Sequence, residues 1–166
     1  MELGLDKCAK CTFVHEKTKR TDNISIDQST TIQELENEAS YKYLGLREDG
    51  PQVQHKRMCK IISKEYLHRI RLILKSSLSL RNKTKAINQL AVPVFQYSCA
   101  IINWTQLEIN NPDTKTMKLL TIHNRFHKNQ SMLRLYLPRR GQRRGLMELN
   151  QEHRTSCEGL AEHVKI

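Results

Sequence analysis

The sequence predicts an α+β fold that is mostly α, with a short N-terminal β-hairpin/strand region followed by a helical bundle. Three observations predict it. Residues 1–50 carry short runs of alternating apolar and polar side chains and end at a chain break. Beyond the break, apolar residues recur with a 3.6-residue period. The same periodic stretch is net +9, against +11 for the whole chain. These shifts divide the chain into residues 1–50, a basic helical segment over 51–130, and an arginine-rich loop with a C-terminal helix over 131–166.

In the first segment Ile24-Ser25-Ile26 alternates, and Thr31 to Leu35 suits a strand or a short polar turn. Tyr41-Lys42-Tyr43-Leu44-Gly45-Leu46 alternates and brings a glycine near its end, the pattern of a strand running into a turn. Asp49-Gly50-Pro51 then breaks the chain.

Helical spacing begins at Val53. Met58, Ile61, Ile62, Tyr66, Ile70, Ile73 and Leu74 form an apolar stripe to Lys75, and Leu67 and Leu72 widen it. Such a helix is about 35 Å long at about 1.5 Å per residue. Ser79 or Asn82 is placed to cap a second helix through Leu90, which Pro93 would kink or end. Residues 94–104 stay apolar and suit a further buried helix. Thr105-Gln106-Leu107-Glu108 has the form of a capping box. Asn110-Asn111-Pro112 is expected to stop that short helix, with Asp113 capping the next to about Phe126. Residues 128–145 resemble loop, and a last helix is expected from Leu146 to about Val164.

Charge narrows the function classes. Residues 53–85 hold ten Lys/Arg (Lys56, Arg57, Lys60, Lys64, Arg69, Arg71, Lys75, Arg81, Lys83, Lys85) against Glu65 alone, whereas the whole chain is net +11. Amphipathic helices usually mix acids among their bases to form i,i+4 pairs. Uncompensated charge on one helix points to a polyanion, above all nucleic acid. A membrane-surface helix is disfavoured because Tyr66 is its sole aromatic anchor. A second cluster, Arg134, Arg139, Arg140, Arg143 and Arg144, suits phosphate because the guanidinium fork matches phosphate oxygens.

Other constellations are incomplete. Cys8, Cys11 and His15 look like part of a zinc site, but a structural zinc needs four ligands and no second close pair exists, so ordinary cysteines flanking a strand are the simpler reading. His123 and His127, four apart on the expected helix, lack the intervening Glu of a catalytic metal pair. Ser98 beside Cys99, and Cys157 near His163, lack a third orienting group for nucleophilic catalysis. No metal or catalytic residue is assigned. Five scattered cysteines suit free thiols in a reducing, intracellular compartment, nucleus or cytoplasm. No apolar run approaches the roughly 20 residues of a membrane span.

Tyr41-Lys42-Tyr43-Leu44-Gly45 resembles the primer-grip segment that follows the palm in reverse transcriptases of non-long-terminal-repeat retrotransposons. Leu3-Gly4-Leu5-Asp6-Lys7-Cys8-Ala9 resembles the palm just after the catalytic aspartates. Lys64-Glu65-Tyr66, Asn82-Lys83 through Ala86-Ile87-Asn88, Ala91-Val92-Pro93-Val94, Tyr97-Ser98, Ile101 to Thr105, Asp113 with Lys115-Thr116, and Arg134 to Arg139 resemble the thumb, in order. The resemblance covers most of residues 1–150. It implies the end of a palm with primer-grip-like strands, then a thumb-like helical bundle. Lys7 would sit where a palm lysine assists the incoming nucleotide, and Tyr43, Leu44 and Gly45 would position the primer end. Lys56, Arg57, Lys60, Lys64, Arg71, Lys75, Lys83, Arg139, Arg140, Arg143 and Arg144 would hold a template–primer duplex by its backbone. Gly141-Gln142-Arg143-Arg144-Gly145-Leu146 departs from the family's Gly-Gly-Arg-Gly-Leu.

The family's chemistry requires Mg2+ held by paired carboxylates. No Tyr/Phe-x-Asp-Asp segment is present, and Asp6 alone cannot replace it. The expectation is therefore a catalytically incomplete polymerase fragment, not an enzyme as it stands, that binds an RNA–DNA hybrid or duplex. The alternatives are a helical interaction protein for an acidic partner, or a polymerase part completed in trans by the missing half.

Overall fold

The computed structural model describes residues 10, 12–14, 17–19, 21–27, 30–32, 34, 41–43, 46–49, 52–53, 55–123, 127, 129, 131, 133–137 and 145–164. The fold is α+β and mostly α. The chain forms two compact units, Met1–Gln54 and His55–Ile166.

The first unit holds small antiparallel ladders. Strands β1 (Phe13–Val14) and β2 (Lys17–Thr18) pair, as do β3 (Ile24–Asp27) and β4 (Thr30–Ile32). In the latter, Ile24 faces Ile32, and the register shifts between Ser25 and Asp27. Strands β5 (Tyr41–Tyr43), β6 (Leu46–Asp49) and β7 (Gln52–Val53) form a three-stranded sheet in that order. Side chains bind the ladders where backbone pairing is short. The Glu34 carboxylate accepts from the Thr21 amide through both oxygens, at 2.8 and 2.9 Å, and the Glu34 amide donates to Asn23 Oδ1 at 3.0 Å. Charge-assisted bonds of this kind are about twice as strong as neutral ones.

The second unit is built on α1 (His55–Lys75). Met58, Ile62, Tyr66, Leu67, Ile70, Ile73 and Leu74 are buried, so the expected stripe is the core face. Ile61 and Leu72 are corrections: they stand 41% and 55% exposed, because the stripe is narrower than the run of apolar letters.

Ser79 caps α2 (Leu80–Ala86), its hydroxyl accepting from the Asn82 amide. A π-helical turn, Ile87–Ala91, then joins α2 to α3 (Val92–Cys99), with the Val92 amide donating to Ile87 O five residues back. The wide turn accommodates the Pro93 ring, so the chain continues helical through the proline. Helix α3 ends at Cys99, short of the expected 104. Ile102 and Trp104 are nevertheless buried, and Trp104 packs on Phe95 with ring centroids 4.8 Å apart.

The capping box at Thr105 and Glu108 is present at the start of α4 (Gln106–Ile122). The expected stop at Pro112 is overturned: the proline lies inside α4. An interior proline removes one backbone bond, at roughly 3 kcal/mol. Ile109, Pro112, Asp113, Thr116 and Leu120 are all buried at helical spacing, and this packing offsets the loss. A short α5 (Leu133–Tyr136) and α6 (Leu149–Val164) complete the unit, α6 starting three residues later than expected. Gly145 takes φ 64°, open to glycine at little cost. The chain on either side is held by Gly145 N–H to Leu137 O and by Asn88, which donates to Gly145 O and accepts from Met147 N–H.

Candidate nucleic-acid interface

The interface grows from the spacing of bases on α1. At about 100° per residue, Lys56, Lys60, Lys64, Arg71 and Lys75 fall within about 120° of the helix circumference, with Arg57 and His68 in the same arc. All seven are exposed. The ridge from Lys56 to Lys75 is about 28 Å long at about 1.5 Å per residue, close to one turn of duplex.

The one acid of α1 does not neutralise this ridge. Glu65 lies on the flank and pairs with Arg69 at 2.7 Å. Arg69 also donates to Leu90 O at 2.8 Å, which ties it to the π turn. No carboxylate among the described residues forms an ion pair with Lys60, Lys64, Arg71 or Lys75. The isolated helix is strained by this arrangement. Lys56/Lys60, Lys60/Lys64 and Arg71/Lys75 are like charges at i,i+4, each costing about 0.2–0.5 kcal/mol. The first turn holds no acid, and its bases meet the positive end of the helix dipole. An anion along the ridge would relieve both costs.

Helix α4 supplies a second wall. Cys59 lies near Glu108 and Tyr66 near Thr116, so α1 and α4 run in the same direction. Between them is a cleft of about 440 Å³, lined by Lys60, Lys64 and Arg71 from α1 and by Asn111 and Lys115 from α4. Glu108 stands at one end of it. Hydrogen bonds from Thr105 hold its carboxyl below the usual range, with Cys59 and Lys56 adding to the effect. Lys115 was not among the site residues read from sequence. Glu108, Asn111, Lys115 and Lys118 share one ridge of α4, and the supposed break at Pro112 hid that continuity.

Lys83 is a correction. Its letter and position predict a phosphate contact, but it is 1% exposed and its Nζ donates to Leu74 O at 2.7 Å, in the last turn of α1. A cation there satisfies a carbonyl with no partner inside the helix and meets the negative end of the helix dipole. Lys83→Met should cost about 1–3 kcal/mol, because it leaves a buried acceptor unpaired. Denaturant unfolding measures that loss. The salt dependence of nucleic-acid binding should stay unchanged; a lower salt slope at unaltered stability would return Lys83 to the interface.

Tyr43 ends β5, in register with Leu46 of β6. Lys7, Leu44, Gly45, Arg139, Arg140, Arg143 and Arg144 lie outside the described residues, as do Cys8, Cys11 and His15. Arg134 is described and exposed. The histidine pair is also corrected. Helix α4 ends at Ile122 with His123 as its C-cap, so His123 and His127 do not share a helical face. No group of three or more metal-ligating side chains occurs among the described residues. Ser98 is structural: its hydroxyl donates to Phe95 O and accepts from Trp104 Nε1. Burial pushes the neighbouring Cys99 thiol up to about 12, which removes it as a nucleophile. No helix among the described residues is long and apolar enough to cross a membrane.

No protein-family model, curated protein or solved structure matches the chain.

Proposed function

We propose that this chain is a catalytically incomplete fragment of a retrotransposon-type reverse transcriptase, comprising the end of a palm, a primer grip and a thumb. It binds template–primer nucleic acid through the phosphate backbone without reading sequence. One observation carries the reading: the exposed bases of α1 share a single face, and the helix's only acid is paired off that face. Such a ridge provides charge at intervals along a helix as long as a duplex turn, chiefly through Lys and Arg side chains suited to phosphate. Contacts of this kind position a nucleic acid and carry no sequence information.

Fluorescence anisotropy of a labelled RNA–DNA hybrid across a salt series tests it. With roughly 6–10 phosphate contacts, affinity should fall by about 10³–10⁵ between about 50 and 200 mM salt, whatever the sequence. A flat response rejects the reading. Binding to one acidic protein that competing hybrid leaves undisturbed would instead support an interaction module.

A further inference from the structure

The cleft between α1 and α4 differs in shape from the open ridge beside it. Its cations stand on two walls, Lys60, Lys64 and Arg71 on one and Lys115 on the other. The cleft holds only about 440 Å³. A duplex, whose major groove alone is about 12 Å across, cannot enter such a space. A single sugar–phosphate chain can, and both walls would then reach the same run of phosphates. No carboxylate among the described residues forms an ion pair with any of the four cations.

We propose that this cleft seats the backbone of a single-stranded stretch of nucleic acid adjoining the duplex on the α1 ridge, with Lys115 as the opposing contact. The proposal rests on the nucleic-acid reading above and adds to it a strand class and a residue. Among the described residues the floor includes Cys59, Ser63 and Leu67 and the lining holds no aromatic ring for bases to stack on, so the recognition proposed is of phosphate and sugar. Glu108 gives the cleft a polarity. Its carboxylate, held ionised by Thr105, repels phosphate from the end near the start of α4. The phosphates therefore gather toward Lys64, Arg71 and Lys115.

The test compares a blunt RNA–DNA hybrid with the same hybrid carrying a single-stranded RNA overhang, on the full chain and on Lys115→Glu and Lys115→Arg. Lys115 is exposed, so neither substitution disturbs the core. The parent chain should prefer the overhang hybrid by roughly tenfold at about 50 mM salt, as expected for one added single-strand phosphate contact, the one Lys115 makes. Lys115→Glu should abolish the preference, lowering overhang-hybrid affinity by more than blunt-hybrid affinity, and Lys115→Arg should keep it. Equal binding of the two hybrids by the parent, or a preference that survives Lys115→Glu, overturns the cleft proposal and leaves the ridge reading standing. If the folded parent binds neither hybrid, both readings fall.

Discussion

Reversing four charges on the α1 ridge, Lys56, Lys60, Lys64 and Arg71 to Glu, should remove hybrid binding almost completely. Each phosphate contact on a duplex contributes about 0.9 to the slope of log affinity against log salt. Four lost contacts lower that slope by about 3.6, and curves that converge near 1 M salt then separate by roughly four to five decades at about 50 mM. The introduced acids add repulsion to that loss. Because all four side chains are exposed, folding should survive, and circular dichroism can verify it on the same samples. The reversal makes the 71/75 pair attractive and places an acid in the first turn of α1, whereas the 56/60 and 60/64 pairs stay like-charged, so the stability of the helix should change little. Lost binding together with unchanged or increased stability is the result that identifies the ridge as an interface. A reversed chain that still binds the hybrid within tenfold of the parent would move the interface elsewhere.

The parts of this molecule that were legible in its sequence are those governed by local periodicity. The apolar stripe of α1 emerged from spacing alone, since burial of Tyr66, Ile70 and Leu74 requires only that one face of a helix turn inward. The capping box at Thr105 and Glu108 is a contact within three residues and was equally visible. The ridge of bases is the complement of the same stripe. What could not be read depends on partners distant in sequence. Pro112 has the local signature of a helix stop, yet tertiary packing of the α4 face carries the helix through it. Lys83 is indistinguishable by letter from Lys85, one residue beyond Thr84. Only the end of α1, nine residues earlier in the chain, makes Lys83 a buried donor and leaves Lys85 exposed. Asn88 likewise holds residues 57 and 59 positions away, a pairing without local signature.

Asp113 shows the same limit and yields the second large effect. Its position after Pro112 suggested a cap for a new helix. It lies instead within α4, where its carboxyl accepts from the Leu149 amide at the start of α6, so it caps a helix other than the expected one. It is 8% exposed, and its Oδ2 has no hydrogen-bond partner among the described residues. Burial raises its pKa to about 7 against the opposing Leu149 bond, and nearby Glu148 adds to the rise. The buried carboxyl in turn pushes the Tyr66 and Tyr136 phenols upward, after burial itself. Between about pH 4 and pH 7 the folded chain keeps this proton while the unfolded chain has lost it. Stability from this group is therefore greatest below about pH 4, falls as pH rises, and is lowest above about pH 7. At about 1.4 kcal/mol per pH unit the span is of the order of 4 kcal/mol. Asp113→Asn keeps an oxygen for the Leu149 amide and cannot ionise. It should stabilise the chain by about 1–3 kcal/mol at pH 8, and the gain should shrink to nothing or reverse near pH 4. Urea unfolding of parent and variant at pH 4, 6 and 8 reads the difference directly, because every other titrating group is common to both. Parallel stability curves across that range would mean that Asp113 is ionised and compensated in the fold, and that the unpartnered Oδ2 costs nothing.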